Sequence, residues 1–108
     1  MQSLPPERLR ALREWAEANG NLRQIWMFGS RARGEALEGS DIDLALALMA
    51  PDGKHDWALG NYWALDWQWK QQLEAIVGCD VSIEPLIPGG KVDVIVHREG
   101  VLLWAREC

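Results

Sequence analysis

The stretch Phe28-Gly29-Ser30-Arg31-Ala32-Arg33-Gly34-Glu35-Ala36-Leu37-Glu38-Gly39-Ser40-Asp41-Ile42-Asp43-Leu44 joins the end of an apolar run to a pair of aspartates. Gly29 leaves a predicted strand where the backbone must turn sharply or approach a ligand closely. Ser30 follows at the start of a helical turn or loop over Arg31–Leu37. There, backbone N–H groups and a hydroxyl can bind a phosphate. Asp41 and Asp43 are separated by one residue, so on a strand they share a face. Two adjacent carboxylates repel each other unless a cation lies between them. Mg²⁺ takes one or two carboxylates together with phosphate oxygens. Taken singly, an Asp-x-Asp on an amphipathic strand is a solvated edge and a Gly-Ser is a turn. In this order, after an apolar strand, they describe metal-assisted phosphoryl or nucleotidyl transfer.

Working outward, Pro5–Asn19 reads as a helix, with Ser3 or Pro5 to start it and Gly20 to end it. Gln24–Phe28 is a short apolar strand. Ser40–Met49 alternates Ile42, Leu44, Leu46 and Leu48 against Asp41 and Asp43, the pattern of a half-buried strand. Pro51-Asp52-Gly53 is a turn. A long helix is predicted over His55–Val77, with Tyr62, Leu65, Trp69, Leu73 and Ile76 on one face and Gly78 closing it. Asp80–Leu86 alternates again, with Val81 and Ile83 opposite Asp80, Ser82 and Glu84. Lys91–Arg98 fits a strand by propensity and a helix by the shared face of Val92, Ile95 and Val96. Val101–Ala105 reads as a last strand after Gly100. This order predicts one α/β (α+β) domain over residues 1–108, with a small mixed sheet and helices mainly on one face.

The motif resembles the signature of the DNA polymerase β-like nucleotidyltransferase superfamily. It is most similar to the minimal nucleotidyltransferase (MNT) branch, found in MNT–HEPN toxin–antitoxin pairs. Arg98-Glu99-Gly100-Val101-Leu102-Leu103-Trp104 is similar to the Arg-Glu-Gly, apolar, aromatic ending of that branch. The resemblance implies the nucleotidyltransferase fold, with Gly29 and Ser30 holding a nucleotide triphosphate and Arg31 and Arg33 contacting phosphates. Read as loop residues alone, the two arginines are simply solvated. The resemblance further implies Asp41 and Asp43 as Mg²⁺ ligands and ATP as the nucleotide. It implies a HEPN-type protein partner or a homo-oligomer, and adenylylation of a toxin as the activity.

One element departs from the family pattern. A third carboxylate normally stands on the strand after the long helix, and counting from Gly78 puts that position at Ser82. Asp80 and Glu84 flank it on the same face, each about 7 Å away along the strand. Either can substitute with altered geometry, and Glu84 joins Asp41 and Asp43 in the candidate catalytic set. Asp93 imitates the motif locally but lies too close to Arg98. Without the third carboxylate the alternative is a nucleotide-binding module that regulates its partner by contact.

Composition narrows the remaining classes. The formal charge is −5, and the basic residues are scattered apart from Arg31 and Arg33. That disfavours nucleic acid, which a basic face normally binds, but not a mononucleotide. No apolar run approaches the roughly 20 residues of a membrane span. Met1–Arg10 lacks the apolar core of a secretory signal, so a cytoplasmic location is expected. Cys79 and Cys108 have no partner at ligand spacing and read as a small core residue and a terminal thiol. His55 and His97 read as surface or structural residues. Of the seven tryptophans, Trp69 belongs to the core face of the long helix. Trp63 and Trp67 share a different face, and Trp57 is harder to place. Packing under loops and an exposed stripe for another subunit both fit them.

Overall fold

A computed structural model describes residues 5–29, 41–49 and 58–106. The element order is α1 (Pro6–Ala18), β1 (Leu22–Phe28), β2 (Ile42–Leu48), α2 (Ala58–Val77), β3 (Val81–Pro85), α3 (Lys91–Glu99) and β4 (Val101–Ala105). Helix α1 begins directly after Pro5, with Pro6 in its first turn. There a missing N–H costs nothing. Asn19 closes the helix through its N–H to the Ala16 carbonyl, one residue before the expected Gly20. Gly78 ends α2 with φ +79°, as its type and place predict. The absence of a side chain there also admits Arg8, whose Nη1 donates to the Ile76 carbonyl at 3.0 Å.

The four strands lie in the order β3-β2-β1-β4. Strand β1 is antiparallel to both β2 and β4, whereas β2 and β3 are parallel. The sheet is therefore mixed. The parallel pair is joined through α2, the long connection that parallel strands require. Leu12 and Ala16 of α1 and Tyr62, Trp69, Leu73 and Val77 of α2 bury one face of the sheet. They meet Ile25 and Met27 of β1, Ile42, Leu44 and Leu46 of β2, and Val81 of β3.

The segment Lys91–Glu99 is a helix, although its β-branched residues also suit a strand. Its geometry explains the choice. Asp93 accepts the Gly89 N–H at 2.9 Å and so caps the first turn from inside. Val96 is buried while Val94 is 60% exposed. Helix α3 lies against the other face of β1, where Gln24 and Trp26 help to line a cleft of about 360 Å³ with Val96 and His97. Two helices cover one face and a shorter one covers part of the other. The ending Arg98-Glu99-Gly100 makes the turn from α3 into β4. Gly100 donates to the Val96 carbonyl at 2.8 Å, and a side chain at Gly100 would strike that same carbonyl.

Edge strand β3 is covered on its outward side by α2. Glu74 accepts the Val81 N–H at 3.1 Å, and the Tyr62 hydroxyl donates to the Ile83 carbonyl at 3.4 Å. Pro85 offers no N–H. An edge treated this way is a poor template for adding another strand.

Candidate nucleotide and metal site

Strand β2 sorts its residues strictly by face. Ile42, Leu44 and Leu46 enter the core, so Asp43 points to the opposite face with Ala45 and Ala47. The strand is buried on both faces past Asp43, since Ala45 and Ala47 are themselves buried. The sequence suggested a half-buried strand. The difference comes from two small side chains set between larger neighbours: Ala45 pairs with Trp26 on one side and Glu84 on the other.

Register brings the motif together. Phe28 pairs with Asp43 across β1 and β2, which sets Gly29 beside the Asp43 carboxylate. Gly29 has φ +78°, and a Cβ there would collide with Asp43 Oδ2. Backbone conformation and space therefore both require glycine. On the other side Asp43 pairs with Ser82 of β3. Ser82 Oγ donates a long hydrogen bond of 3.5 Å to Asp41 Oδ2. Asp41, Asp43 and Ser82 thus form one oxygen-rich patch beside the Gly29 turn. Oxygen donors of this kind suit Mg²⁺. Among the described residues, no group of three or more His, Cys, Asp or Glu could hold a metal ion.

Glu84 lies one alternate position beyond Ser82, paired with Ala45 and exposed. Asp80 precedes β3, and its carbonyl accepts the Ile42 N–H at 3.0 Å. Asp93 is outside this group, on α3, where His97 approaches its carboxylate at 3.0 Å. His97 is exposed and Cys79 is partly buried against the core. Ser30, Arg31, Arg33, His55, Trp57 and Cys108 lie outside the described residues.

The structure adds a pair that sequence reasoning passed over. Lys70 Nζ and Glu74 Oε2 are 2.9 Å apart on α2, and the same Glu74 oxygen accepts the Val81 N–H. The Lys70 hydrogen bond, then the Val81 N–H, hold the Glu74 carboxyl below its ordinary range. The Glu74 bond likewise raises the Lys70 ammonium, against a desolvation penalty, and the charges of Glu74, Asp80 and Asp41 add to the rise. A Lys–Glu pair at i, i+4 is a common surface feature. Only the fold shows that this one ends at the strand carrying Ser82.

A family model described as nucleotidyltransferase domain matches residues 9–99. The chain belongs to the nucleotidyltransferase domain family. A solved structure described as a minimal nucleotidyltransferase is 31% identical, with a TM-score of 0.56 over 88% of this chain and 92% of that one. A toxin–antitoxin complex with AMP-PNP gives a TM-score of 0.60 at 20% identity, covering 95% of this chain and 76% of that one. The MNT antitoxin complex with the tri-AMPylated Shewanella oneidensis HEPN toxin gives 0.53 at 18% identity, covering 93% and 71%. At these lower identities the likeness concerns the fold. No curated protein matches the chain significantly. In this nucleotidyltransferase domain, the expected α/β fold with a small mixed sheet is the observed one.

Proposed function

We propose that this domain is a Mg²⁺-dependent nucleotidyltransferase that transfers AMP from ATP to a hydroxyl of a partner protein. The partner would be a HEPN-type toxin, with this chain as its antitoxin. The observation that carries the reading is Asp43 held against the left-handed Gly29 turn, with Asp41 on the same side. Family membership and the fold shared with MNT–HEPN complexes support it.

In this reading Asp41 and Asp43 hold Mg²⁺, which supplies charge neutralisation at the phosphates when bound. Gly29 gives the triphosphate close access to the backbone, and Ser30, Arg31 and Arg33 bind its oxygens. Glu84 is the carboxylate on the β3 face assigned to take the proton of the attacking hydroxyl. The nucleotide comes from the cytoplasmic ATP pool. Among the described residues no helix is long and apolar enough to cross a membrane.

The test is Mg²⁺-dependent release of pyrophosphate in the presence of the partner, with label from ATP appearing on that partner. Asp41→Asn or Asp43→Asn abolishes both signals. Transfer that persists in either variant contradicts the assignment.

Ser82 favours a second reading, a nucleotide-binding module that neutralises its partner by contact. Trp63 and Trp67, each 61% exposed, supply the contact surface. Under this reading Asp43→Asn leaves neutralisation intact and Trp67→Ala weakens it. The opposite pattern restores the first reading.

A further inference from the structure

We propose that the outer stripe of helix α1 is the surface on which a second copy of this chain docks, the two α1 helices packing antiparallel across a two-fold axis. The inference stands apart from the nucleotide reading.

Helix α1 buries Leu12 and Ala16 and turns Arg10, Arg13, Glu14, Glu17 and Ala18 outward. The charges along this stripe run as two arginines, then two glutamates. Within one helix that is the weaker order: at i, i+4 the acid is better placed before the base, and Arg10–Glu14 and Arg13–Glu17 both reverse it. Among the described residues neither arginine is ion-paired with the glutamate four residues on. Against an antiparallel copy the same order is self-complementary. With the axis between Arg13 and Glu14, Arg13 meets Glu14 of the second copy and Arg10 meets its Glu17. Leu9, partly buried beside Arg10, then faces Ala18, whose small side chain leaves room for it. An isologous contact requires a surface that matches itself in this way.

The contacts of α1 with β4 fix where the axis runs. Arg13 Nε donates to the Leu103 carbonyl at 3.0 Å, and Glu17 Oε1 accepts the Trp104 indole N–H at 3.1 Å. These bonds pin both side chains over β4, the edge strand opposite β3, and set the middle of the stripe beside the middle of that strand. The Arg13 bond uses one of five guanidinium donors, and the Glu17 side chain stays 60% exposed. Arg13 and Glu17 form the shared wall of two hollows, one of about 710 Å³ along α1 past Leu9 and Ala18 and one of about 330 Å³ over Leu102 and Ala105 of β4.

Strand addition is not what joins the copies. The Leu103 carbonyl is taken by Arg13, and the ladder between β1 and β4 shifts register between Ile25 and Trp26. A bulged and capped edge resists pairing, so α1 carries the contact. Two helices of this length make a small interface, for which a weak, micromolar association is the expected strength. Asp43 and Ser82 lie on the face of the sheet opposite α1, so each copy keeps its oxygen-rich patch open.

The experiment is sedimentation equilibrium of the full chain from micromolar to millimolar concentration, at low and high salt. The wild type passes from monomer to dimer as concentration rises, and added salt weakens the dimer. Arg10→Glu and Glu17→Arg each weaken it about tenfold, because symmetry places every like-charge contact twice. The two substitutions in one chain restore it, since the reversed charges again meet. Ala18→Arg, at an exposed position that carries no bond to β4, also dissociates it. Melting curves check that each variant is folded. A chain that stays monomeric throughout, leaving the stripe to solvent or to a different protein, overturns the inference. A dimer indifferent to these variants, or a double variant no stronger than the single ones, overturns it as well. ATP binding, measured separately, is unaffected by either result.

Discussion

The two faces of β2 carry different work in alternate residues. One face, Ile42, Leu44 and Leu46, is sealed under α1 and α2. The other begins with Asp43 beside Gly29 and Ser82, then closes over Ala45 and Ala47. A slip of one residue would drive Asp43 into the core and lift Leu44 out, so the buried face fixes where the carboxylate points. The precision of the site is therefore borrowed from the core. The residues that hold the aspartates in place are apolar and lie on the far side of the sheet.

The division between the two faces is tested most severely by emptying the packed one. Leu44→Ala, at a side chain with 0% exposure, should cost about 2–5 kcal/mol in denaturant unfolding. Asp43→Asn, one residue away, should change stability by less than about 1 kcal/mol while removing metal-dependent transfer. Comparable losses of stability from the two variants would mean that the faces are not divided as described.

A smaller effect is expected where the faces meet. Gly29→Ala forces a side chain into a left-handed turn and against Asp43. It should destabilise by about 1–3 kcal/mol and reduce nucleotide affinity with it. Full affinity in a folded Gly29→Ala protein would separate the turn from the site.

Helix α2 repeats the contrast within a single element. Trp69 is 4% exposed and Trp67 is 61% exposed. Trp69→Ala should cost about 3–5 kcal/mol. Trp63→Ala and Trp67→Ala should each stay within about 0.5 kcal/mol, with their effect confined to partner binding measured by calorimetry. Large destabilisation by either would show that these rings support the fold.

The mildest effect concerns Tyr62, the one tyrosine of the chain. Burial, then the charges of Asp66 and Glu84, push its hydroxyl up from 10.0 to about 12. The folded state thus favours the neutral phenol. Its contribution to stability is complete below pH 10 and is lost as pH rises toward 12. Phenolate absorbance should show this late titration, and Tyr62→Phe should make alkaline unfolding less steep between those values. Titration near pH 10 in the folded protein would remove Tyr62 from the β3 edge.

Much of this arrangement was legible because alternation and helical periodicity are written directly in residue type. Ile42 to Leu48 specified β2, the Tyr62, Trp69 and Leu73 face specified α2, and Gly78 marked its end. The Asp41–Asp43 pair and Gly29 stood out for the same reason, since each needs a particular residue. The parallel pairing of β3 was not legible, because it is decided by how α2 packs back across the sheet. Nor was α3, where strand-prone valines are held in a helix by Asp93 and by burial of Val96 alone. The Lys70–Glu74–Val81 link joins residues that only the folded chain makes neighbours.

Calorimetric titration of ATP into the domain, with and without Mg²⁺, tests most directly whether Asp41, Asp43 and the Gly29 turn form a metal–nucleotide site. Binding that requires Mg²⁺ and disappears in Asp43→Asn is the expected result. ATP binding that is equally tight without Mg²⁺, or that survives Asp43→Asn unchanged, contradicts the account.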